Sequence, residues 1–175
     1  IIGIPLRATI AMRKFRGKAI LKNITYTLMG LPSVVAGLIV FLTFSRRGPL
    51  GSLDLLYTPE IMIIAQFVLG LPIMTAISIS AVSSISTQVR DTAISLGATN
   101  WQASKKMIRE AKNGLITAFI TTFSTCISEV GAVMMVGGNI RFRTRVLTTS
   151  TVLSTAIGNY GYAIAMGIVL LVIAF

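Results

Sequence analysis

Side chains able to perform catalysis are scarce in this sequence. Its 175 residues include no histidine, one cysteine (Cys126) and five acids. Acid–base and nucleophilic catalysis need a nucleophile beside a base, or paired carboxylates, within hydrogen-bond reach. The sequence has no such pair, no cysteine cluster and no glycine-rich phosphate loop ending in lysine. We therefore predict that the chain is not an enzyme and has no catalytic residue, no metal site and no cofactor.

Glu129 is the acid with the most unusual surroundings, because it interrupts an apolar stretch that continues to Ile140. A carboxylate at membrane depth costs about 2.5 to 3.5 kcal/mol on insertion scales, so it usually faces a bundle interior or an aqueous cavity. We expect a structural or gating role, in which Glu129 accepts hydrogen bonds from neighbouring helices or pairs with an arginine. A protonated or snorkelling acid near the outer interface is the alternative.

Long apolar segments are the elements that must position these residues. Hydrophobic residues make up 54% of the chain and charged residues 12%, against about 25% charged in a soluble domain. About 20 apolar residues in a helix cross the hydrocarbon core. Spans are predicted over residues 24–45, 59–81, 113–136 and 159–175. The expected fold is an all-α, polytopic transmembrane helical bundle, one domain over residues 1–175, in a multi-pass cell membrane protein.

The two ends of the chain suggest that it continues in both directions. It begins at Ile1 without an initiator methionine and stops at Phe175 inside an apolar helix. We expect a fragment that lacks both natural ends. Residues 1–12 are predicted to be the cytoplasmic end of a helix, and residues 13–22 a basic connection.

The net charge of +11 is better explained by membrane orientation than by nucleic-acid binding, since no aromatic-studded basic surface accompanies it. The connections at 13–22 and 82–112 contain five Lys/Arg each, whereas those at 46–58 and 138–158 contain two and three. Lys and Arg mark the cytoplasmic side. The first two connections are therefore predicted to be cytoplasmic.

Local signals predict helix boundaries in two further places. Thr58-Pro59-Glu60 is typical of a helix start, because proline suits the first helical position and an acid suits the positive dipole end. Residues 146–157 predict a short helix at the interface or inside the bundle. The glycines around Asn159 predict a break before the last span.

Residues 82–112 are too polar to span the membrane but include residues that typically begin and end helices. Asp91 and two small residues precede Gly97, which permits a turn between two short helices. Asn100 is predicted to be the N-cap of the second helix, which includes Trp101 and several lysines. An amphipathic hairpin resting on anionic lipid is the alternative to a protein-docking element.

This segment resembles the cytoplasmic coupling motif of permeases from binding-protein-dependent ABC importers, which reads Glu-Ala-Ala, three residues, Gly. Asp91 and Thr92 replace the first two residues, and Ala93 and Gly97 match. Met107 occupies the later aliphatic position, but Arg109-Glu110 stands where the family has Leu-Pro. The resemblance implies a type I importer permease fold and a separate ATPase subunit that would contact Asp91, Thr92, Ala93, Gly97 and Trp101.

A longer stretch is similar to the tungstate-type permeases of that family. The similar segments are residues 28–32, 46–51, 110–118 and 127–149. The resemblance implies a permease that moves an oxyanion, tungstate above all, as a lipid-embedded homodimer with an ABC ATPase and an extracytoplasmic solute-binding protein, and without nucleic acid. A permease for molybdate or another oxyanion, or a non-ABC scaffold or channel, is the alternative.

The segment around Glu129 supplies two sets of candidate residues. Residues predicted for a gate or pathway are Glu129, Gly131, Gly137, Gly138 and Asn139, with ordinary helix packing as the alternative for the glycines. Residues predicted to contact the binding protein are Arg141, Arg143 and Arg145. These arginines could instead attract the anion or form a solvated basic rim.

Overall fold

A computed structural model of the protein describes residues 18–85 and 87–175. Every regular element in these ranges is helical, so the all-α prediction is confirmed. The helices are α1 (Lys18–Met29), α2 (Ser33–Phe44), α3 (Pro59–Ser83), α4 (Thr87–Ser95), α5 (Asn100–Glu110), α6 (Lys112–Ser128), α7 (Gly131–Gly137), α8 (Leu147–Ala156) and α9 (Tyr160–Ala174), with a 3₁₀ turn at Gly51–Leu53.

The described chain groups into two compact units, and the single domain over residues 1–175 stays a prediction. The first unit contains α1, α4, α5, and the parts of α3 and α6 within Leu71–Thr122. The second unit contains Leu31–Gly70 and Phe123–Phe175. The boundaries therefore cross α3 and α6, which are continuous helices.

The start of the chain differs from its prediction. Residues 1–12, predicted as a helix end, lie outside the described residues, as does the first half of the predicted basic connection at 13–22. The rest of that connection, from Lys18, already belongs to α1. Helix propensity explains this, because lysine and leucine are good helix formers and no proline interrupts residues 18–29.

The first predicted span, residues 24–45, is not one helix but two. α1 ends at Met29, and α2 begins at Ser33 after Pro32, whose carbonyl accepts the N–H groups of Val35 at 3.0 Å and Ala36 at 3.1 Å. Pro32 has no N–H to donate and disfavours helical dihedrals at Leu31. The proline in the first half of this segment therefore breaks it.

Helix α3 agrees closely with its prediction and begins at Pro59 directly after Thr58. It runs to Ser83 despite Pro72 in its interior. α3 is the one described helix that alone has the length and apolar composition to cross a membrane. Two broken pairs, from Asn23 to Phe44 and from Lys112 to Gly137, would raise the number to three.

The later segments follow the predicted order with one additional break. Residues 113–136 are divided between α6 and α7, which are separated by Glu129 and Val130. The predicted short helix is α8, and the predicted last span is α9. Asn159 caps α9, because its Oδ1 accepts the N–H of Tyr162 at 3.3 Å.

The core of the second unit is small and tightly packed. Its buried members are Val40, Ile61, Met62, Ala65, Ala132, Val133 and Val136. α2 and α7 approach closely, since a Cβ at Gly37 would lie 2.6 Å from the Cα of Ala132. Only glycine leaves room for that backbone contact. This packing positions the chain on both sides of α7.

Candidate functional site

The predicted coupling segment contains a helical hairpin, defined here as residues 87–110. Its first helix, α4, ends in a Schellman motif: the Ala98 N–H donates to Ala93 O at 3.0 Å and the Gly97 N–H to Ile94 O at 2.9 Å. The motif needs a left-handed residue, and Gly97 has φ = +86°. The predicted turn at Gly97 is confirmed.

The prediction of Asn100 as the N-cap of α5 is wrong. Thr99 is the cap: its Oγ1 accepts the Gln102 N–H at 3.3 Å, and Gln102 Oε1 accepts the Thr99 N–H at 2.8 Å. This capping box satisfies two backbone donors, which explains why the preceding residue takes the position. Asn100 instead accepts a hydrogen bond from Arg90 Nη2 at 2.9 Å, so it links α5 to α4.

The hairpin has one buried and one exposed face. Ala103, Met107 and Ala111, spaced four residues apart, are buried. By contrast, Leu96 at the turn is 83% exposed and Trp101 is 69% exposed. Two large apolar side chains thus project from the end of a short, internally bonded hairpin, and such residues are typical of protein contacts.

The other predicted coupling residues lie on the same hairpin. Asp91 and Thr92 are exposed, Ala93 is half-buried, and the Asp91 carboxylate lies 4.0 Å from Arg90. At the far end Lys106 Nζ donates to Glu110 at 2.6 Å. This hydrogen bond, with the charge of Lys106, lowers the pKa of the Glu110 carboxyl.

Glu129 occupies the break between α6 and α7. Its Oε1 accepts the backbone N–H of Ala132 at 3.0 Å, and its carbonyl accepts a hydrogen bond from Thr148 Oγ1 of α8 at 3.3 Å. No ion pair of Glu129 with an arginine is present among the described residues. Of the two expected interactions, the structure therefore contains hydrogen bonding. A gating role stays a prediction.

The candidate gate glycines make packing contacts inside the second unit. Gly131 lies beside Ser33 and Val34, Gly137 beside Met62, and Gly138, at φ = +69°, beside the Tyr57 ring. Tyr57 also donates its N–H to Val136 O at 3.0 Å. These contacts fit the packing alternative, and they leave the gate hypothesis untested.

Residues 139–145 form a compact loop that we call the arginine turn. The Ile140 carbonyl accepts the N–H groups of Arg143, Thr144 and Arg145 at 3.1, 2.9 and 3.0 Å. Arg145 Nε donates to Asn139 Oδ1 at 3.2 Å and Arg145 Nη2 to Asn139 O at 3.3 Å. Asn139 is thus part of the turn that presents the arginines.

Thr144 holds the arginine turn against the end of α7. Its side chain is buried, and its Oγ1 donates to Gly137 O at 2.6 Å and accepts the Ile140 N–H at 2.9 Å. By contrast, Arg141, Arg143 and Arg145 are all exposed, and of these Arg145 also donates back to Asn139. The turn presents positive charge on a fixed backbone.

Sequence reasoning missed several polar residues that organise the second unit. Thr144 gave no signal, because a threonine between arginines is ordinary at a surface. Gln66 did give one, as the one amide within the predicted span at 59–81. Its Nε2 donates to Cys126 O at 3.1 Å, and Cys126 Sγ donates to Gln66 O at 3.7 Å. Cys126 therefore links α6 to α3 through these two hydrogen bonds.

The predicted sites are divided between the two units. The coupling residues share the hairpin of the first unit, whereas the gate and arginine residues share the region around α7 and α8 of the second. Within the second unit α8 contacts both ends of the gate set, because Thr148 donates to Glu129 O and Thr149 O accepts from Asn139 Nδ2 at 3.4 Å.

Comparison with known proteins identifies the family. The model of the family described as "Binding-protein-dependent transport system inner membrane component" matches residues 1–175. A probable anion ABC transporter permease protein of Haloferax volcanii is 42% identical over 175 residues, covering 97% of this chain and 75% of the relative.

Two further relatives share a name with each other. A tungstate uptake system permease protein of Peptoclostridium acidaminophilum is 45% identical over 174 residues, covering 99% of this chain and 76% of the relative. Its namesake in Campylobacter jejuni is 35% identical over 162 residues, covering 93% of this chain and 68% of the relative.

These matches extend over nearly the whole chain and include both the hairpin and the arginine turn. A permease of this family is a transporter subunit and not an enzyme, and its importer also needs an ATPase and a solute-binding protein. The chain belongs to the inner membrane components of binding-protein-dependent ABC transport systems.

Proposed function

We propose that this chain is the permease of a tungstate importer. The assignment of tungstate as the substrate rests on the name shared by two relatives, which are 45% and 35% identical to this chain. The scarcity of catalytic side chains agrees with transport driven by a separate ATPase. Substrate selection would reside mainly in the solute-binding protein, which delivers the anion to the permease.

The substrate is tested on the binding protein purified with this permease. Tungstate and molybdate are tetrahedral dianions of similar size, so both are measured by calorimetry alongside sulfate and phosphate. We expect tungstate to bind most tightly. A preference for molybdate would support the alternative oxyanion, and a preference for sulfate or phosphate would overturn the assignment.

We propose that the hairpin couples the permease to the ATPase through Asp91, Thr92, Ala93, Gly97 and Trp101. Exposed Leu96 and Trp101 beside a fixed turn support this role, because a rigid element can transmit a rigid-body movement. Gly97→Trp should abolish ATPase association and transport. Gly158→Trp is the matched control, since Gly158 also has a positive φ and open space at Cβ but lies outside the hairpin. Intact coupling in Gly97→Trp would refute the role.

We propose a gate formed around Glu129, Gly131, Gly137, Gly138 and Asn139. The break in the chain at Glu129 and the hydrogen bond that its carboxylate accepts at the start of α7 support it. Glu129→Ala removes the acceptor, whereas Glu129→Gln keeps one. We expect transport to fall in the first and to survive in the second. Unchanged transport and expression in Glu129→Ala would exclude the role.

We propose that Arg141, Arg143 and Arg145 contact carboxylates of the solute-binding protein. Their exposure on a fixed turn supports this, since complementary charges mainly raise the association rate. Replacing all three by Ser should slow docking and reduce its salt dependence. Replacing Arg46 and Arg47, exposed in another connection, is the control. Unchanged docking would favour a solvated rim.

We further propose a multi-pass homodimer in the cell membrane, with the hairpin in the cytosol. Support comes from the apolar side chains exposed on α9, including Ile164, Leu171 and Val172, which suit lipid or a second copy. Native mass spectrometry should give two permease chains per importer. A cysteine placed in the hairpin should resist impermeant labelling from outside intact cells, and labelling there would overturn the topology.

A further inference from the structure

Phe142, at the tip of the arginine turn, is held in an unfavourable conformation. Its side chain is 93% exposed, and its backbone has φ = +62°. Left-handed dihedrals are disfavoured for residues with a Cβ, and a bulky residue there is a genuine outlier. Exposure and backbone strain both oppose this arrangement, so other contacts must maintain it.

The contacts that maintain it come from the residues on either side of Phe142. Three N–H groups that follow it converge on the Ile140 carbonyl, and buried Thr144 fastens the loop to Gly137. Asn139 is held by Arg145 and by the carbonyl of Thr149. The backbone of the turn is therefore fixed before any partner arrives, and strain of this kind is typical of functional sites.

The two arginines next to Phe142 form no ion pair within 4.0 Å in the described part of the chain, although Arg143 interacts electrostatically with Glu60. The Arg141 guanidinium lies over the Phe142 ring, 4.7 Å from its centroid, and Arg143 follows on the other side. The ion pairs among described residues are Arg90–Asp91 and Lys106–Glu110, so neither arginine faces a carboxylate within 4.0 Å. The turn presents an aromatic ring between two exposed cations that lack a direct ion pair.

We propose that Phe142 is the anchor that docks the extracytoplasmic solute-binding protein, by entering an apolar pocket rimmed with carboxylates. This inference rests on the proposed contact of the arginines with that protein. Aromatic residues and arginine dominate the energetic centres of protein interfaces. Burial of the ring would slow dissociation of the complex, while the arginines would speed association and fix the orientation of the two proteins.

Two other occupants fit the observations less well. A fluid bilayer would accept the ring in any backbone conformation, so it gives no advantage to a preorganised turn. A structured pocket does, because the ordering cost of binding is already met. A free oxyanion would use the guanidinium groups but not an apolar ring. The structure therefore favours a protein surface.

The test measures binding of the purified solute-binding protein to the complete importer in lipid nanodiscs. Phe142→Ala should weaken binding by roughly ten- to a hundredfold through faster dissociation, with the salt dependence unchanged. Phe142→Tyr should bind normally. Phe67→Ala removes another well-exposed phenylalanine, on α3, and should have no effect.

A glycine variant separates docking from folding. Phe142→Gly removes the ring but relieves the strain of a positive φ, so its thermal midpoint should equal or exceed that of the parent. Docking should nevertheless weaken as in Phe142→Ala. Normal docking by both variants would overturn the anchor.

The arginine variant distinguishes the two proposals. If docking weakens when Arg141 and Arg143, which do not brace the turn, become Ser but not in Phe142→Ala, the anchor is refuted and the arginine contact stands. If neither change affects docking, the Phe142 anchor and the arginine contact are both refuted.

The lipid alternative has its own measurement. In Phe142→Trp, compared with the parent chain containing Trp101 alone, added binding protein should shift the emission to shorter wavelength. Extra quenching by brominated lipid before the binding protein is added would identify a membrane anchor and overturn the proposal.

Discussion

The Gly97 turn and the arginine turn both reverse the chain through left-handed residues, but they do so differently. The first uses glycine, with φ = +86°, and open space surrounds the position of its absent Cβ. The second uses Asn139 at φ = +51° and Phe142 at φ = +62°. The first turn is relaxed and local, whereas the second is strained and depends on a buried threonine.

This difference teaches where each turn obtains its stability. The hairpin contains its own caps, through the Schellman motif of α4 and the capping box of α5. The arginine turn instead relies on contacts with α7 and α8, through Thr144 and Asn139. The hairpin should therefore tolerate changes elsewhere in the chain, and the arginine turn should not.

The largest expected effect comes from Thr144→Val. It removes the side-chain partner of the buried Gly137 carbonyl and of the partly buried Ile140 N–H, and a buried group left unsatisfied costs about 1 to 3 kcal/mol. We expect the free energy of unfolding to fall by roughly 2 to 4 kcal/mol in denaturant titrations of the purified protein. Thr144→Ser keeps the hydroxyl and should lose far less. Equal stability of the two variants would show that the arginine turn does not depend on the Thr144 hydroxyl.

Gly97→Ala should have the next largest effect, on the hairpin alone. A left-handed L-residue costs roughly 1 to 2 kcal/mol, so the Schellman bond of the Ala98 amide should open more often. Hydrogen exchange at that amide measures the change. Gly97→Asn should be milder, since asparagine tolerates this region, and Gly167→Ala, inside α9 with open space at Cβ, should not destabilise the protein. Equal protection in Gly97→Ala would contradict the strain argument.

Thr99→Ala tests the capping box, with an expected loss of about 1 kcal/mol in the local stability of α5. The readout is hydrogen exchange of the Gln102 amide, which Thr99 Oγ1 satisfies. Asn100→Ala is the matched control, because it removes the contact with Arg90 but no cap. A larger effect at Asn100 would restore it as the capping residue.

The smallest effect is the pH response of the Lys106–Glu110 pair. Its hydrogen bond lowers the pKa of Glu110 below the usual 4.5. The contribution to stability is therefore complete above that value and is lost as pH falls through the lower folded pKa. Carbon-13 NMR of labelled glutamate, assigned with Glu110→Gln, should give a midpoint below 4.5 that rises in Lys106→Met. A midpoint independent of Lys106 would exclude the pairing.

Sequence reasoning located most elements but fewer of their breaks. Prolines and glycines with local effects were informative: Pro59 began α3, and Gly97 ended α4. Pro32 lies inside a predicted span, although it separates α1 from α2. The break at Glu129 had no proline or glycine of its own. The residue type favours Asn100 as a cap, but the reciprocal hydrogen bonds of Thr99 and Gln102 place the cap one residue earlier.

The sequence by itself determined the helical class, the apolar segments and the hairpin, because hydrophobic runs, glycine dihedrals and caps act within a few residues. It also predicted that the chain is not an enzyme and that its charged residues are concentrated in the connections between apolar segments. Only the tertiary structure decided the left-handed Phe142, the buried hydroxyl of Thr144 and the clasp between Gln66 and Cys126. Those features depend on partners outside the local turn, and a hydrogen bond between residues 60 positions apart leaves no local pattern to read.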